Sequence, residues 1–133
     1  MSMKTRALAE EVAQLLATQP GFTIDANGKP LASGYTVGGV LQLQEHALAI
    51  YSQPRNPAEL QALEDELAGK FEELGELLSE NHLGGWRDGG SLVLDLVTVT
   101  RNRKQASELA KSRGQLAYGE IRQYQYAKEW KTN

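Results

Sequence analysis

Asp95 is the residue whose type is most at odds with its neighbours. It sits in Leu92-Val93-Leu94-Asp95-Leu96-Val97, a run that alternates as a strand with both faces apolar. A carboxyl between Val93 and Val97 on one face is desolvated, and desolvation raises its pKa toward the range of a general acid or base. The competing reading is a structural carboxylate, at a sheet end or accepting from a loop amide, a tyrosine or an arginine. The sequence fixes no second catalytic group beside Asp95.

Other reaction chemistries lack their residues. With no cysteine there is no thiolate nucleophile, disulfide or cysteine-based metal site. His46 and His82 are the two histidines; neither belongs to a His-Glu-x-x-His pair, and no EF-hand run is present. There is no Gly-x-Ser-x-Gly elbow. Gly34-Tyr35-Thr36-Val37-Gly38-Gly39 lacks the dinucleotide-binding spacing, and no Gly-Lys-Ser/Thr follows it. No cofactor and no metal are expected, and enzymatic function is the less favoured reading. His82 follows an acidic helix directly, where an imidazolium would interact favourably with the helix C-terminus.

Binding chemistry is better represented. Arg101, Arg103, Lys104, Lys111, Arg113, Arg122, Lys128 and Lys131 share the C-terminal third with Tyr118, Tyr124, Tyr126 and Trp130. Bases interleaved with aromatics can neutralise phosphates and stack nucleobases. Against nucleic acid, the whole chain is acidic, with pI ≈ 5.4, and it carries no reading-head motif. Charge is instead segregated along the chain. Residues 56–88 hold nine acids and two bases, a local charge of -7, and residues 101–133 hold eight bases and three acids, a local charge of +5. This layout suits a protein partner or a second copy, the acidic helix of one chain against the basic tail of another. The plainer reading is two solvated helix faces of opposite sign. The candidate binding residues are Trp86, Asp95, Arg101, Arg103, Tyr118, Arg122, Tyr124, Tyr126 and Trp130. No small-molecule ligand follows from the sequence.

These residues need elements to place them. Leu8, Val12, Leu15 and Leu16 predict a first helix over residues 3–18, ended by Pro20-Gly21. Phe22 to Ile24 is extended, Asp25 to Gly28 is a turn, and Tyr35 to Val37 is expected to pair back as a first hairpin. Residues 40–52 are ambiguous: Leu41, Leu43 and Glu45 alternate as in a strand, and the second half fits either strand or helix. Asn56-Pro57-Ala58-Glu59 is a helix start with cap, N1 proline and N3 acid. Leu60, Leu63, Leu67, Phe71, Leu74 and Leu78 then give one apolar stripe, about six turns long. Gly69 and Gly75 mark close packing on it.

Gly84 to Arg87, a turn at Asp88-Gly89-Gly90 and the strand through Thr100 form a second hairpin. Thr100 or Asn102 caps a short helix carrying Ala106, Leu109 and Ala110, which Gly114 stops. Gln115 to Ile121 is extended again, so that parallel strands here would need a crossover. The tail from Arg122 extends that strand, forms an edge or docks on another subunit, and its last few residues are loose.

A length of 133 residues and 41% hydrophobic content describe a single domain with its own core. No run approaches a membrane span, and MSMKTRALAEEVAQ lacks a secretory apolar region, so a cytoplasmic location is expected. The expected fold class is α+β. One mostly antiparallel sheet of about 4–5 strands carries an N-terminal helix, a long acidic helix and a short helix in the C-terminal half.

Gly84-Gly85-Trp86, Leu94-Asp95-Leu96-Val97, the helix with Ala106, Leu109 and Ala110, and Gln115-Leu116-Ala117-Tyr118 together resemble small uncharacterised proteins of actinobacteria and their phages or mobile elements. With Gly34-Tyr35-Thr36-Val37 the likeness spans about two-thirds of the chain. Where those proteins close on Tyr-Asp-Leu or Trp-Asp-Leu, this chain has Tyr118-Gly119-Glu120. The resemblance implies an accessory or host-interaction role and names no catalytic residue. The function expected is thus a non-enzymatic accessory or binding protein acting through protein–protein contacts, with self-association as a homodimer one form of it. Nucleic-acid binding by the basic–aromatic third, and a small enzyme centred on Asp95, are the alternatives.

Overall fold

The computed structural model describes residues 2–41 and 48–132. The predicted first helix is α1 (Met3–Thr18); Ser2 caps it, accepting from the Thr5 N–H at 3.1 Å, and Leu8, Val12 and Leu16 face inward. The strands β1 (Gly21–Ile24), β2 (Gly34–Val37) and β3 (Ala49–Ser52) are short. The acidic helix α2 (Pro57–Leu74) starts as predicted, with Asn56 accepting from the Glu59 N–H at 2.9 Å. It ends four residues before the stripe does. Gly75 adopts φ +53°, and a separate turn of helix, α3 (Glu76–Glu80), follows. The glycines expected to mark close packing do not: a methyl on Gly69 or Gly75 would meet nothing within 4 Å. Gly75 is used for its left-handed backbone.

The second hairpin, β4 (His82–Asp88) and β5 (Ser91–Thr100), turns at Gly89-Gly90 as predicted. Asn102, rather than Thr100, caps α4 (Arg103–Ser112), taking the Lys104 and Gln105 N–H groups. Then come β6 (Ala117–Arg122) and β7 (Gln125–Lys131). Of the alternatives for the tail, it forms an edge strand, β7, as far as Lys131.

The sheet is antiparallel throughout, in the order β1-β4-β5-β2-β6-β7, with β3 added to β5. Among the described residues seven strands replace the expected 4–5, and four of their six pairings are remote in sequence. β1 does not pair with β2; it pairs with β4, Phe22 opposite Gly85. β2 lies between β5 and β6, antiparallel to both, so β5 and β6 run parallel one strand apart, spanned by α4. The half of residues 40–52 left open is resolved at its end as β3, whereas the alternation at Leu43 and Glu45, and His46, lie outside the described residues.

The sheet curls into a half-barrel that brings β1 toward β7. Between them, the Leu31 N–H donates to Thr23 O and the Tyr124 N–H to Ala32 O, both at 2.9 Å. On one face, Ile24, Leu83, Leu92, Leu94 and Leu96 pack on Leu8, Val12, Leu16, Leu63, Leu67 and Phe71 of α1 and α2. A smaller core joins Val37 and Tyr118 to Ala106 and Ala110 of α4. The alternate side chains of β5, Val93, Asp95 and Val97, point to the opposite face. Among the described residues no helix packs on that face, yet these three are only 5 to 7% exposed.

Arg87, beside the β4–β5 turn, donates to Leu16 O, Ala17 O and Gln53 Oε1, closing the C-terminus of α1 where orphan carbonyls and the helix dipole favour a cation. Arg87→Ala is expected to cost about 2 kcal/mol, the range for bonds to a charged donor. Arg87→Lys should recover part of it, because an ammonium cannot reach both carbonyls and the amide with the same fork; urea melts of the three proteins measure it.

At the β6–β7 turn, Gln123 and Tyr124 have φ of +50° and +65°. Two central residues at positive φ are what a two-residue hairpin requires, yet glycine or asparagine normally supplies them. Each such residue costs on the order of 1 kcal/mol. In β7, Tyr126 pairs with Ile121 and Lys128 with Glu120, so Ala127 is an extra residue, a bulge that disrupts the outer edge.

Candidate functional site

Asp95 lies where β5 changes partner. On one side β3 pairs with Ser91 to Leu94 and β2 resumes at Thr98, so residues 95–97 face a break between two strands. Gly84, without a side chain, is its neighbour on β4. Glycine is needed on the far side of the break as well. A methyl on Gly38 would lie 2.9 Å from Asp95 Oδ2 and 3.3 Å from Gln115 Oε1. The carboxyl Oδ1 accepts the Leu96 N–H at 2.9 Å. Burial pushes the carboxyl up to about 7, while the Leu96 and Leu48 amides pull it down.

Arg113 closes the β2 end of the break by donating to Val37 O, Gly38 O and Thr98 Oγ1 at 3.3, 3.1 and 2.9 Å. Its guanidinium is thus spent on backbone and hydroxyl oxygens. Among the described residues, the partners shown for Asp95 are the Leu96 and Leu48 amides.

The basic–aromatic residues separate into an inner and an outer set. Glu120, 7% exposed, accepts from Trp130 Nε1 at 2.9 Å and from Arg122 Nε, and these donors hold its carboxyl below the usual range, Arg122 first. Arg103 and Lys128 stand over the Trp130 ring at 4.2 and 3.9 Å from its centroid. The indole is therefore occupied by the protein's own cations, pinning β7 to the start of α4. Tyr118 is buried, edge-on to Tyr35 at 6.3 Å. Arg103, Tyr118, Arg122 and Trp130 thus come together around Glu120 and the Trp130 ring, with both arginines exposed.

The outer set is Tyr124, 66% exposed at the hairpin turn, Tyr126, 60% exposed on β7, and Arg101, exposed between β5 and α4. Tyr126 rests on Gly119, where a methyl would stand 3.1 Å from its ring. Trp86 lies in the other half of the sheet. Trp86, Val93 and Ile50 are in register across β4, β5 and β3, with Val93 buried and the outer two 42% and 56% exposed. Ile50 was not legible as a partner of Trp86, since only strand pairing joins them. Glu120 was also missed, although an acid in the apolar alternation of Tyr118 to Ile121 gives the same signal as Asp95, and Arg113 entered only as one of the bases of the C-terminal third.

His82 begins β4 and is half-buried, which lowers its pKa; burial favours neutral imidazole, so the imidazolium expected at the preceding helix end is not what this environment stabilises. A shallow groove of about 420 Å³ runs between α1 and the turn after β1, lined by Lys4, Leu8, Glu11, Asn27 and Gly28, and none of the candidate residues lines it. Among the described residues no helix is long and apolar enough to cross a membrane. Comparison of the chain with protein-family models, curated proteins and solved structures finds no match.

Proposed function

We propose that this chain is a non-enzymatic binding protein that works through protein–protein contact, with a second copy of itself as the partner. The observation that carries this is the spatial separation of charge. The acidic helices α2 and α3 belong to the half of the molecule built on β1, β4 and β5, and the bases belong to α4, β6 and β7 in the other half. Glu66, Glu72, Glu73, Glu76 and Glu80 have no ion-pair partner among the described residues, nor do Arg101, Lys104 and Lys111. Two fields of opposite sign on one molecule favour head-to-tail approach of like molecules. The accessory role implied by the resemblance in the carboxy half agrees with this reading.

Light scattering at low and high salt tests it. A mass above the 14.6 kDa chain at low ionic strength, falling toward it as salt rises, is the expected result. A monomer at every salt concentration rules the reading out. Nucleic-acid binding is the weaker reading because Trp130, the aromatic best suited to stacking, already carries Arg103 and Lys128.

A further inference from the structure

We infer that the contact between copies is made by α2 of one chain lying antiparallel along α4 of the next, with Glu66 and Glu73 meeting Lys111 and Lys104. The inference rests on the self-association reading and adds to it the two surfaces and their relative direction.

The charges on the two helices match in spacing and oppose in sign. On α2, Glu66, Gly69, Lys70 and Glu73 stand at i, i+3, i+4 and i+7. On α4, Lys104, Ser107, Glu108 and Lys111 stand at the same four positions. Such a set lies on one helix face, with its end residues about 10.5 Å apart along the axis. Glu66, Glu73, Lys104, Glu108 and Lys111 are exposed, and Lys70 is half-buried. Glu66 and Lys70, like Lys104 and Glu108, are one turn apart on their own helix. Even so, among the described residues none of the six charges has an ion-pair partner.

The direction follows from the hand of the helix. When two right-handed helices face each other antiparallel, their i+4 residues fall on one side of the seam and their i+3 residues on the other. The antiparallel alignment therefore sets Glu66 on Lys111, Lys70 on Glu108 and Glu73 on Lys104, three pairs of opposite sign. The parallel alignment keeps two such pairs and puts Lys70 opposite Ser107. Antiparallel, the i+3 pair is Gly69 with Ser107, the two smallest residues of the set, which lets the backbones approach. Among the described residues, a methyl on Gly69 would meet nothing within 4 Å, so this side of α2 is open to a partner. Both halves of the match are carried by one chain, and a second copy is the partner that the pattern fits.

A charge swap tests the contact by light scattering at low salt. Glu66→Lys with Glu73→Lys sets like charges against α4, and Lys104→Glu with Lys111→Glu sets them against α2. Each double variant alone should fall to the 14.6 kDa monomer at a concentration where wild type is associated. The four substitutions in one chain reverse both faces together, so this variant should associate again. It keeps the wild-type net charge of -3 and has a smaller separation of charge, so its recovery reports residues that face each other rather than the overall field. All four sites are exposed on helices, where Glu and Lys have similar propensity, so every variant should keep the wild-type helical circular dichroism. Double variants that remain associated, or a four-site variant that stays monomeric, overturn the inference and leave charge-driven association through other residues standing. A wild-type protein that is itself monomeric removes both.

Discussion

Asp95→Asn is expected to stabilise the protein by roughly 3 kcal/mol at pH 8, and by less than half as much at pH 5, a difference set by the displaced titration of this one carboxyl. Burial raises its pKa from 3.8 to about 7. Between these values the folded state holds a proton that the unfolded chain has released. Stability is therefore full below about pH 4, falls as pH rises through the window, and levels above about 7. At 1.36 kcal/mol per pKa unit the whole effect is roughly 4 kcal/mol. Asparagine retains an oxygen for the Leu96 N–H and cannot ionise. Denaturant titrations of both proteins across pH 4–8 measure it, and an unchanged pH slope in the variant would mean that Asp95 is not the group responsible.

The second large effect belongs to Gly85. A methyl there would stand 2.2 and 2.4 Å from two atoms of the Phe22 ring, which lies across the strand pair on this glycine. Gly85→Ala must drive the half-buried ring off its site, at a cost of about 2–3 kcal/mol as for other overpacked positions. Phe22→Ala should cost a similar amount by uncovering the β1–β4 seam, about 2 kcal/mol. The pair should not add. With the ring gone, the new methyl has room, so a double-mutant cycle should show coupling above about 1 kcal/mol. Additive losses would show that Phe22 and Gly85 do not share the site.

Legibility followed the range of the interactions. The N-caps Asn56 and Asn102, the stripe of α2 and the β4–β5 turn are contained within a few residues each, and each forms where its residues indicate. The break between α2 and α3 was not foreseen, because Gly75 was weighed as a packing glycine in one continuous helix, when the backbone uses it at positive φ. Asp95 was found because a carboxylate in an apolar alternation conflicts with its surroundings in sequence as well as in space. Its setting was not legible, since Gly38, Leu48 and Gln115 reach it from other elements. The basic–aromatic third was seen as one set and is two. Arg122 and Trp130 close on Glu120 and Arg103 stands over the Trp130 ring, while Tyr124 and Tyr126 remain outside.

By itself the sequence determined the α+β class, the helices and most strands, the charge separation and the carboxylate at odds with its strand. These follow from period, caps and composition, which are local. Tertiary structure alone decided that β1 joins β4, that β2 enters between β5 and β6, and that β3 stops where β2 begins. Antiparallel pairing is set by contacts between side chains far apart in the chain, which a one-dimensional pattern does not encode. The same pairing sets Trp86 beside Ile50 and lays the Tyr126 ring on Gly119, and so determines which aromatics face solvent.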